Sequence, residues 1–317
     1  MLSYFLKRLL ALLPTVLVPV IAVFLIIRLA PGDPAASILG DQATPEQVNQ
    51  LRHQMGLDAP LLVQFGRFLR DLVTLNLGTS LYIHRPVNEL IPEYAAVTVE
   101  IGILSLLLAI ALGMGVGALA AFRHGHVDGK AAVGVGIVGI SLPQFFIGLV
   151  LVVFLAVQWH VFPVAGYSTW SDGVIPHLRS IFLPALTLAL AQLGMVSRMV
   201  SGAILDILNE PFVITARSLG VRPARIRTVH VLRVASVEIL TVTGLMMAMV
   251  LSGSVVVENI FGVPGMGRLL FDAVTRRDYD VIQGVVIFVG LFIIVVNLVV
   301  DMLYAAVDPR VRYGKAA

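Results

Sequence analysis

Hydrophobic and polar positions fall along this chain in long blocks, and those blocks predict its architecture. Six windows contain no Asp, Glu, Lys or Arg: residues 9–27, 101–122, 131–159, 180–197, 239–257 and 281–300. Each runs for 18 to 29 residues, and a helix that crosses a bilayer needs about 20. The pattern predicts an all-α integral membrane protein with six transmembrane helices. Residues 31–96, between the first two windows, form the largest polar insertion, and there the periodicity changes to that of amphipathic helices. Thr44, Pro45 and Gln47 make a capping-box start, Val48, Leu51 and Met55 share a face, and Gly56 can stop that helix. Leu61, Leu62, Phe65, Phe68, Leu69 and Leu72 then recur at helical spacing before Gly78. Both stretches are expected on the outer membrane surface or under a partner.

Inside the windows, small residues and prolines modify the helices. Gly113, Gly115 and Gly117 in the second window, and Gly244, Ala248 and Ser252 in the fifth, let helix backbones approach closely in lipid. Pro143, just after Ser141, predicts a kink in the third span whose freed carbonyl needs help from neighbours. Pro184 plays a milder part in the fourth. Residues 160–179 read as a short outer loop, with Pro163, Gly166, Tyr167 and Trp170 giving turns and interfacial anchors.

One long basic interruption, residues 209–233, stands apart in the second half. Asn209 is the expected N-cap and Pro211 an early helical proline; Phe212, Ala216 and Leu219 share a face, and Gly220 suits a left-handed C′ position. The result is a capped helix of about 9 residues, roughly 14 Å long. It is too short to cross a bilayer and too apolar at Phe212, Val213, Ile214 and Leu219 to float free, so it is expected to seek a groove on a partner.

Composition agrees with the block pattern: 58% of residues are hydrophobic and 13% charged, and mean hydropathy is +0.94. The absence of cysteine excludes disulfides and thiolate chemistry. Lys7 and Arg8 precede a first apolar run longer than the core of a signal peptide, so that run reads as a retained helix. The net charge is +3, and its distribution carries more meaning than its size. With both ends and the 123–130 and 198–233 connections placed in the cytoplasm, those regions hold 13 Lys and Arg against 9 elsewhere, as the positive-inside rule expects. The basic charge then reports orientation and gives no reason to invoke a nucleic-acid partner.

Several short motifs fail on context. Gly134, Gly136 and Gly139 fit a dinucleotide-binding spacing, yet no strand precedes them, and helix packing explains them. Residues 125–131 resemble a phosphate-binding loop one residue too short, with Ala131 where a hydroxyl should hold magnesium. His124 and His126, at i and i+2, face different ways on a helix and suit a polar loop better than a metal. Glu100, Glu238, Glu258 and Asp301 lie near window ends, against an ion-coupled secondary transporter. No convergent His, Asp and Ser set lies inside the windows, against an intramembrane enzyme. Glu238, about one turn inside the fifth window, is expected either to pair with Arg198 or Arg233 or to snorkel to the interface.

The run ITARSLGV at 214–221, followed by HVLR at 230–233, resembles the EAA loop of permeases in binding-protein-dependent ABC importers, in the dipeptide/oligopeptide branch. Other landmarks agree: LAPGDPA at 29–35, MGLDAPLLVQF at 55–65, LGTS at 77–80, the block from 257 to 284 and DMLYAAVDPRVRYG at 301–314. Ser218 and Leu219 stand where the branch has Ala-Lys, and Val234 and Glu238 where it has Asn and Pro, while Ala216, Arg217 and Gly220 match.

The resemblance implies a type I ABC importer permease fold as one transmembrane domain over 1–317, with residues 31–96 as an extracytoplasmic helical insertion and 209–233 as a cytoplasmic coupling segment. It implies a non-catalytic subunit of the bacterial inner membrane, both termini cytoplasmic, forming half of a pathway for di- or oligopeptides. Glutathione, opines or nickel remain open as the solute. The implied partners are a second permease, two ATP-binding subunits that hold ATP and Mg, an extracytoplasmic substrate-binding protein and membrane lipid. This chain itself would hold no cofactor and no metal. Phe212, Thr215, Ala216, Arg217, Leu219 and Gly220 are the expected ATPase-coupling residues. Pro143, Ser254 and Glu258 are candidates for the pathway or its gate, and Arg268, Arg276, Arg277 and Asp278 for docking the binding protein.

Overall fold

The computed structural model describes residues 17–25, 28, 35–36, 43–54 and 56–307. In chain order the helices are α1 (17–25), α2 (Pro45–Gln54), α3 (Leu61–Val73), α4 (Val87–Phe122), α5 (Val127–Ser141) and α6 (Gln144–Leu151). They continue with α7 (Val174–Leu208), α8 (Pro211–Ser218), α9 (Leu232–Phe261), α10 (Met266–Arg276) and α11 (Tyr279–Val307). Among the described residues the only β pairing is an isolated bridge between Thr79 and Pro86. The chain divides into two compact units, one of residues up to Val97 with Gly265–Ile294 and one of Thr98–Pro264 with the residues from Val295 onward. Helices α4 and α11 run through both.

In the first unit, the start of α4 packs on α10 and the start of α11. Val87, Leu90, Ile91, Met266, Leu269, Val281 and Val285 form its buried cluster. Gly284 permits a close approach there, because a Cβ would lie 2.7 Å from Val87 Cγ1 and 2.9 Å from Ile91 Cδ1. Helix α2 opens with the capping box: the Thr44 N–H donates to Gln47 Oε1 at 2.9 Å and the Gln47 N–H to Thr44 Oγ1 at 3.3 Å. Gly56 follows the helix at φ +64°, as a helix stop requires. Helix α3 lays Phe65 and Phe68 on Phe24 of α1, with ring centroids 5.0 and 5.5 Å apart. Its buried Gln64 donates to the carbonyls of Leu57 and Ala59 at 3.0 and 2.9 Å, which locks the preceding turn to the helix.

The second unit is organised around α7, the most buried of the long helices. Helices α5, α6 and α9 pack on it. Gly113 and Gly117 of α4 also meet it: a Cβ at Gly113 would lie 2.6 Å from Val196 Cβ, and one at Gly117 2.6 Å from the Ser197 carbonyl. Gly115 faces open space, so the close approach uses the four-residue spacing and not all three glycines. Gly136 and Gly139 of α5 do the same against Ser197 and Leu190, which gives the GxGxxG spacing a packing role. Pro184 leaves α7 unbroken.

Pro143 acts more strongly than a kink. Leu142 and Pro143 are both extended, at φ −86°, ψ 130° and φ −60°, ψ 138°, so the third apolar window divides into Val127–Ser141 and Gln144–Gln158, bent by 107°. Proline lacks the N–H that would continue the helix and pushes its predecessor out of the α region. Each half, of 15 residues, is about 22 Å long, short of the roughly 30 Å hydrocarbon core. Helices α4, α7 and the Tyr279–Val300 part of α11 are long and apolar enough to cross a membrane, and there are up to 5 such spans if each interrupted helix pair counts as one. The 9–27 window is described only from residue 17, so the six-span expectation falls partly outside the described residues. So do the surroundings of Gly244 and the side chains of Ala248, Arg233 and Glu238, and with them the pairing expected of Glu238.

Candidate functional site

The 209–233 segment begins differently from its expected cap. Asn209 ends α7, with its side-chain amide donating to the Leu205 carbonyl at 3.0 Å. Glu210 takes the N-cap position of α8 with no side-chain cap bond, and Pro211 is the first helical residue. Two helices thus meet with two residues between them, and Asn209 serves the earlier one. The far end matches expectation. Gly220 sits at φ +75°, its N–H donates to the Arg217 carbonyl at 3.0 Å, and the Val221 N–H donates to the Ala216 carbonyl at 3.1 Å. These paired bonds are a Schellman closure.

The faces of α8 sort its residues. Val213 is fully buried and joins Ile204, Ile207, Ile226 and Val231 in the core cluster of the unit, with Ala216 and Val221 packed against it. Helix α8 therefore uses Val213 to seat itself on its own chain, a role the sequence pattern assigned to a partner. Ala216, expected on the docking face, lies at the border of the seated side. Phe212, Thr215 and Leu219 fall within about 60° on the adjoining flank, where Phe212 is 44% and Leu219 77% exposed. The Thr215 hydroxyl bonds the Pro211 carbonyl at 2.9 Å, so the residue shows little free polarity. Arg217, Arg222 and Arg225 are exposed, Arg217 on the side of α8 away from this stripe, and the Arg227 guanidinium lies 5.4 Å from the Phe122 ring centroid. The arrangement is a helix closed at its C-terminus, with an apolar outer flank and exposed arginines on and after it.

The other candidate residues are placed less favourably. Ser254 and Glu258 are buried on α9. The Ser254 hydroxyl bonds the Leu251 carbonyl at 2.9 Å, and the Thr98 hydroxyl donates to Glu258 Oε1 at 2.7 Å. Both are held in helix packing. Asp278 corrects the docking set, because it is buried and accepts a 2.6 Å hydrogen bond from the Ser80 hydroxyl. A residue whose neighbours are exposed can still turn inward at a helix end. Arg276 and Arg277 do remain exposed: the Arg276 guanidinium lies 3.4 Å from the Tyr82 ring centroid, and Arg277 closes α10 at φ +57°. Arg268 is half-buried.

A polar cluster that no motif signalled lies at the opposite end of α7. His177 is fully buried, with Nδ1 2.7 Å from the Ser168 carbonyl and Nε2 2.7 Å from Glu100 Oε1. A carbonyl only accepts, so the Nδ1 contact is a donation to Ser168, and the other ring nitrogen faces the Glu100 carboxyl. Trp170 stacks on the imidazole at 4.0 Å, and the Tyr167 hydroxyl donates to Glu100 Oε2 at 3.2 Å. Burial, then the Glu100 charge and that hydrogen bond, push the Tyr167 phenol up to about 12. Glu100 and His177 are 77 positions apart, which is why local spacing could not pair them. Among the described residues, no group of three His, Asp or Glu could hold a metal ion.

Long apolar helices packed through glycines, joined to a short capped helix on a basic connection, define a polytopic membrane protein of the transporter-permease class. The family model described as binding-protein-dependent transport system inner membrane component matches residues 113–313, and its N-terminal companion matches residues 1–86. The chain belongs to this family of ABC importer permeases and is a multi-pass inner-membrane protein. Its relatives include a Brucella abortus (strain 2308) protein named as a peptide transport system permease, 38% identical over 99% of this chain and 100% of that protein. The glutathione transport system permease GsiC of Salmonella paratyphi A is 39% identical over 99% of this chain and 100% of its own. Among solved structures, the inward-facing MetNI methionine ABC transporter is similar at a TM-score of 0.55 and 16% identity, covering 69% of this chain and 96% of that one. That likeness is one of fold.

Proposed function

We propose that this permease forms half of a pathway for di- or oligopeptides and receives its work through α8. The carrying observation is that α8 is closed at Gly220, seated by Val213, and exposes Phe212, Thr215 and Leu219. A chain with such a lever needs a partner that binds ATP and Mg, and a cleft on an ATPase subunit is the natural receptor for the stripe. Two such ATPases, a second permease and an extracytoplasmic binding protein complete the complex. In this reading both termini and the 123–130 and 209–233 connections are cytoplasmic, residues 31–96 are outside, and Arg268, Arg276 and Arg277 orient the binding protein. Catalysis belongs to the partner ATPases. The peptide assignment is supported by the relatives named for peptide transport in Brucella and in Sinorhizobium fredii. The glutathione reading, supported by the GsiC relatives, differs in solute and not in mechanism.

The test is uptake into proteoliposomes holding the complete complex, with a labelled dipeptide, a labelled pentapeptide and labelled glutathione compared side by side. ATP-dependent uptake of peptide is expected. Uptake of glutathione alone would overturn the substrate reading, and uptake without ATP would overturn the coupling reading.

A further inference from the structure

The first unit contains a cavity of about 350 Å³ between α3, the turns at Gly56 and Gly78, Arg28 and the start of α11. That size falls within the usual range of small-ligand sites. Four charged side chains line it: Arg28, Arg67, Asp71 and Asp280. Arg67 and Asp71 stand one turn apart on α3, a spacing at which opposite charges commonly pair. They do not pair here. Among the described residues, no carboxylate pairs with Arg28 or Arg67 and no cation with Asp71 or Asp280. Arg28 is nonetheless fixed, its Nε donating to Gln64 Oε1 at 2.9 Å and its guanidinium stacked 4.0 Å from the Phe24 ring centroid. Asp280 is fixed too, with the Thr79 N–H on Oδ2 at 3.3 Å. Two cations and two anions thus line one space without pairing, with Arg28 and Asp280 fixed and Arg67 and Asp71 on the exposed side of α3, a pattern suited to a ligand that carries both signs.

The depth of the cavity points to the ligand's source. Its wall includes Asp280, Gln283 and Gly284, where α11 enters the charge-free window 281–300. A helix that spans the hydrocarbon core places its ends at headgroup level. Helix α3 and the turn after it expose Leu62 by 84%, Val73 by 83% and Leu75 by 69%, as an element lying in the interface would. We propose that this cavity binds the headgroup of a zwitterionic phospholipid, its phosphate toward Arg28 and Arg67 and its ammonium toward Asp71 and Asp280. Arginine N–H groups suit phosphate oxygens, and carboxylates accept from a primary ammonium. A free dipeptide offers the same pairing of carboxylate and ammonium, so the two sources must be separated by experiment. The site is independent of which solute the permease carries.

The experiment is native mass spectrometry of the complete, delipidated complex titrated with phosphatidylethanolamine or phosphatidylglycerol. Wild type should retain phosphatidylethanolamine about tenfold more tightly, the gain of one charge-assisted contact. Asp71→Asn should abolish that preference, and Arg67→Gln should weaken both lipids about tenfold. Both positions are on the exposed side of α3, so these variants should assemble normally, which the intact mass of the complex checks directly. Millimolar Ala-Ala should displace neither lipid. Equal retention of the two lipids by wild type, unchanged retention in both variants, or displacement by Ala-Ala would each overturn the proposal.

Discussion

Replacing Gly220 tests whether α8 must be closed in its present geometry. The residue sits at φ +75°, and a Cβ built there would meet nothing within 4 Å. Any penalty is therefore conformational and not steric against neighbours. An L-residue in the left-handed region costs roughly 1–2 kcal/mol, more when β-branched and least for Asn. The stake on the other side is similar: removing two methyl groups from the fully buried Val213 forfeits about 1.6 kcal/mol of transfer energy, plus a cavity term. Gly220→Val should thus cost as much as the main anchor of the helix supplies. Gly220→Ala should cost about 1 kcal/mol and Gly220→Asn less. The assay is paired uptake and ATPase activity in proteoliposomes with the full complex, after confirming equal membrane insertion. Coupling should decline in the order Asn, Ala, Val, with hydrolysis in the Val variant no longer stimulated by loaded binding protein. Wild-type coupling in Gly220→Val, or equal damage from Asn and Val, would refute the backbone argument.

Three further outcomes are expected. Phe212→Ala combined with Leu219→Ser removes the exposed stripe, so thermal unfolding should shift little, within about 0.5 kcal/mol, while ATPase stimulation falls; a large loss of stability would instead place the stripe in the permease's own packing. His177→Phe removes the imidazole from Glu100 and from the Ser168 carbonyl, leaving Glu100 only the Tyr167 hydroxyl, and should cost about 3 kcal/mol, read as an earlier thermal transition in detergent, whereas an unchanged transition would show that the pair carries no net stability. The Tyr167 phenol, raised to about 12, should stay protonated well above the ordinary tyrosine value of about 10; because its folded value is raised, its hydroxyl contact with Glu100 is complete below that ordinary value and is lost only as pH climbs through the raised one. A difference titration at phenolate wavelengths against Tyr167→Phe checks this, and a step near the ordinary value would contradict it.

What was legible in the sequence follows the range of the interactions involved. The capping box at Thr44 and Gln47, the stops at Gly56 and Gly220, and the break at Pro143 each depend on a few adjacent residues, and each stands where the pattern placed it. The apolar windows were legible for the same reason, since length and absence of charge are local properties. Asn209 misled because an Asn before a Pro can cap the helix that follows or close the helix that precedes, and only the three-dimensional path decides. Asp278 misled because a charged residue among exposed arginines carries no local mark of being inward. Val213 could have been found: it lies on the flank of α8 next to Ala216, and a buried anchor was implied once the helix was judged too apolar to float. The Glu100–His177 pair could not, because its members meet only through the packing of α4 and α7.

That pairing bears on how the second unit transmits motion. Helix α7 runs unbroken for 35 residues, roughly 52 Å at the standard rise. Its first turn holds His177, clamped by Glu100, Ser168 and Trp170, and its last turns hold Ile204 and Ile207, on which Val213 of α8 is seated. Between these ends, Gly113, Gly117, Gly136 and Gly139 of two other helices are pressed against it. Close packing of this kind resists continuous deformation and favours discrete shifts of whole elements. A displacement imposed on α8 reaches α7 directly, since only two residues separate the helices and Val213 is seated on Ile204 and Ile207, and it reaches the 226–231 segment through the same seat. At the far end the loop carrying Ser168 and Trp170 is tied to the same helix through His177. Under the coupling role proposed for α8, the buried His177 pair joins that loop to α7, so weakening the pair should loosen the loop without disturbing the seat of α8.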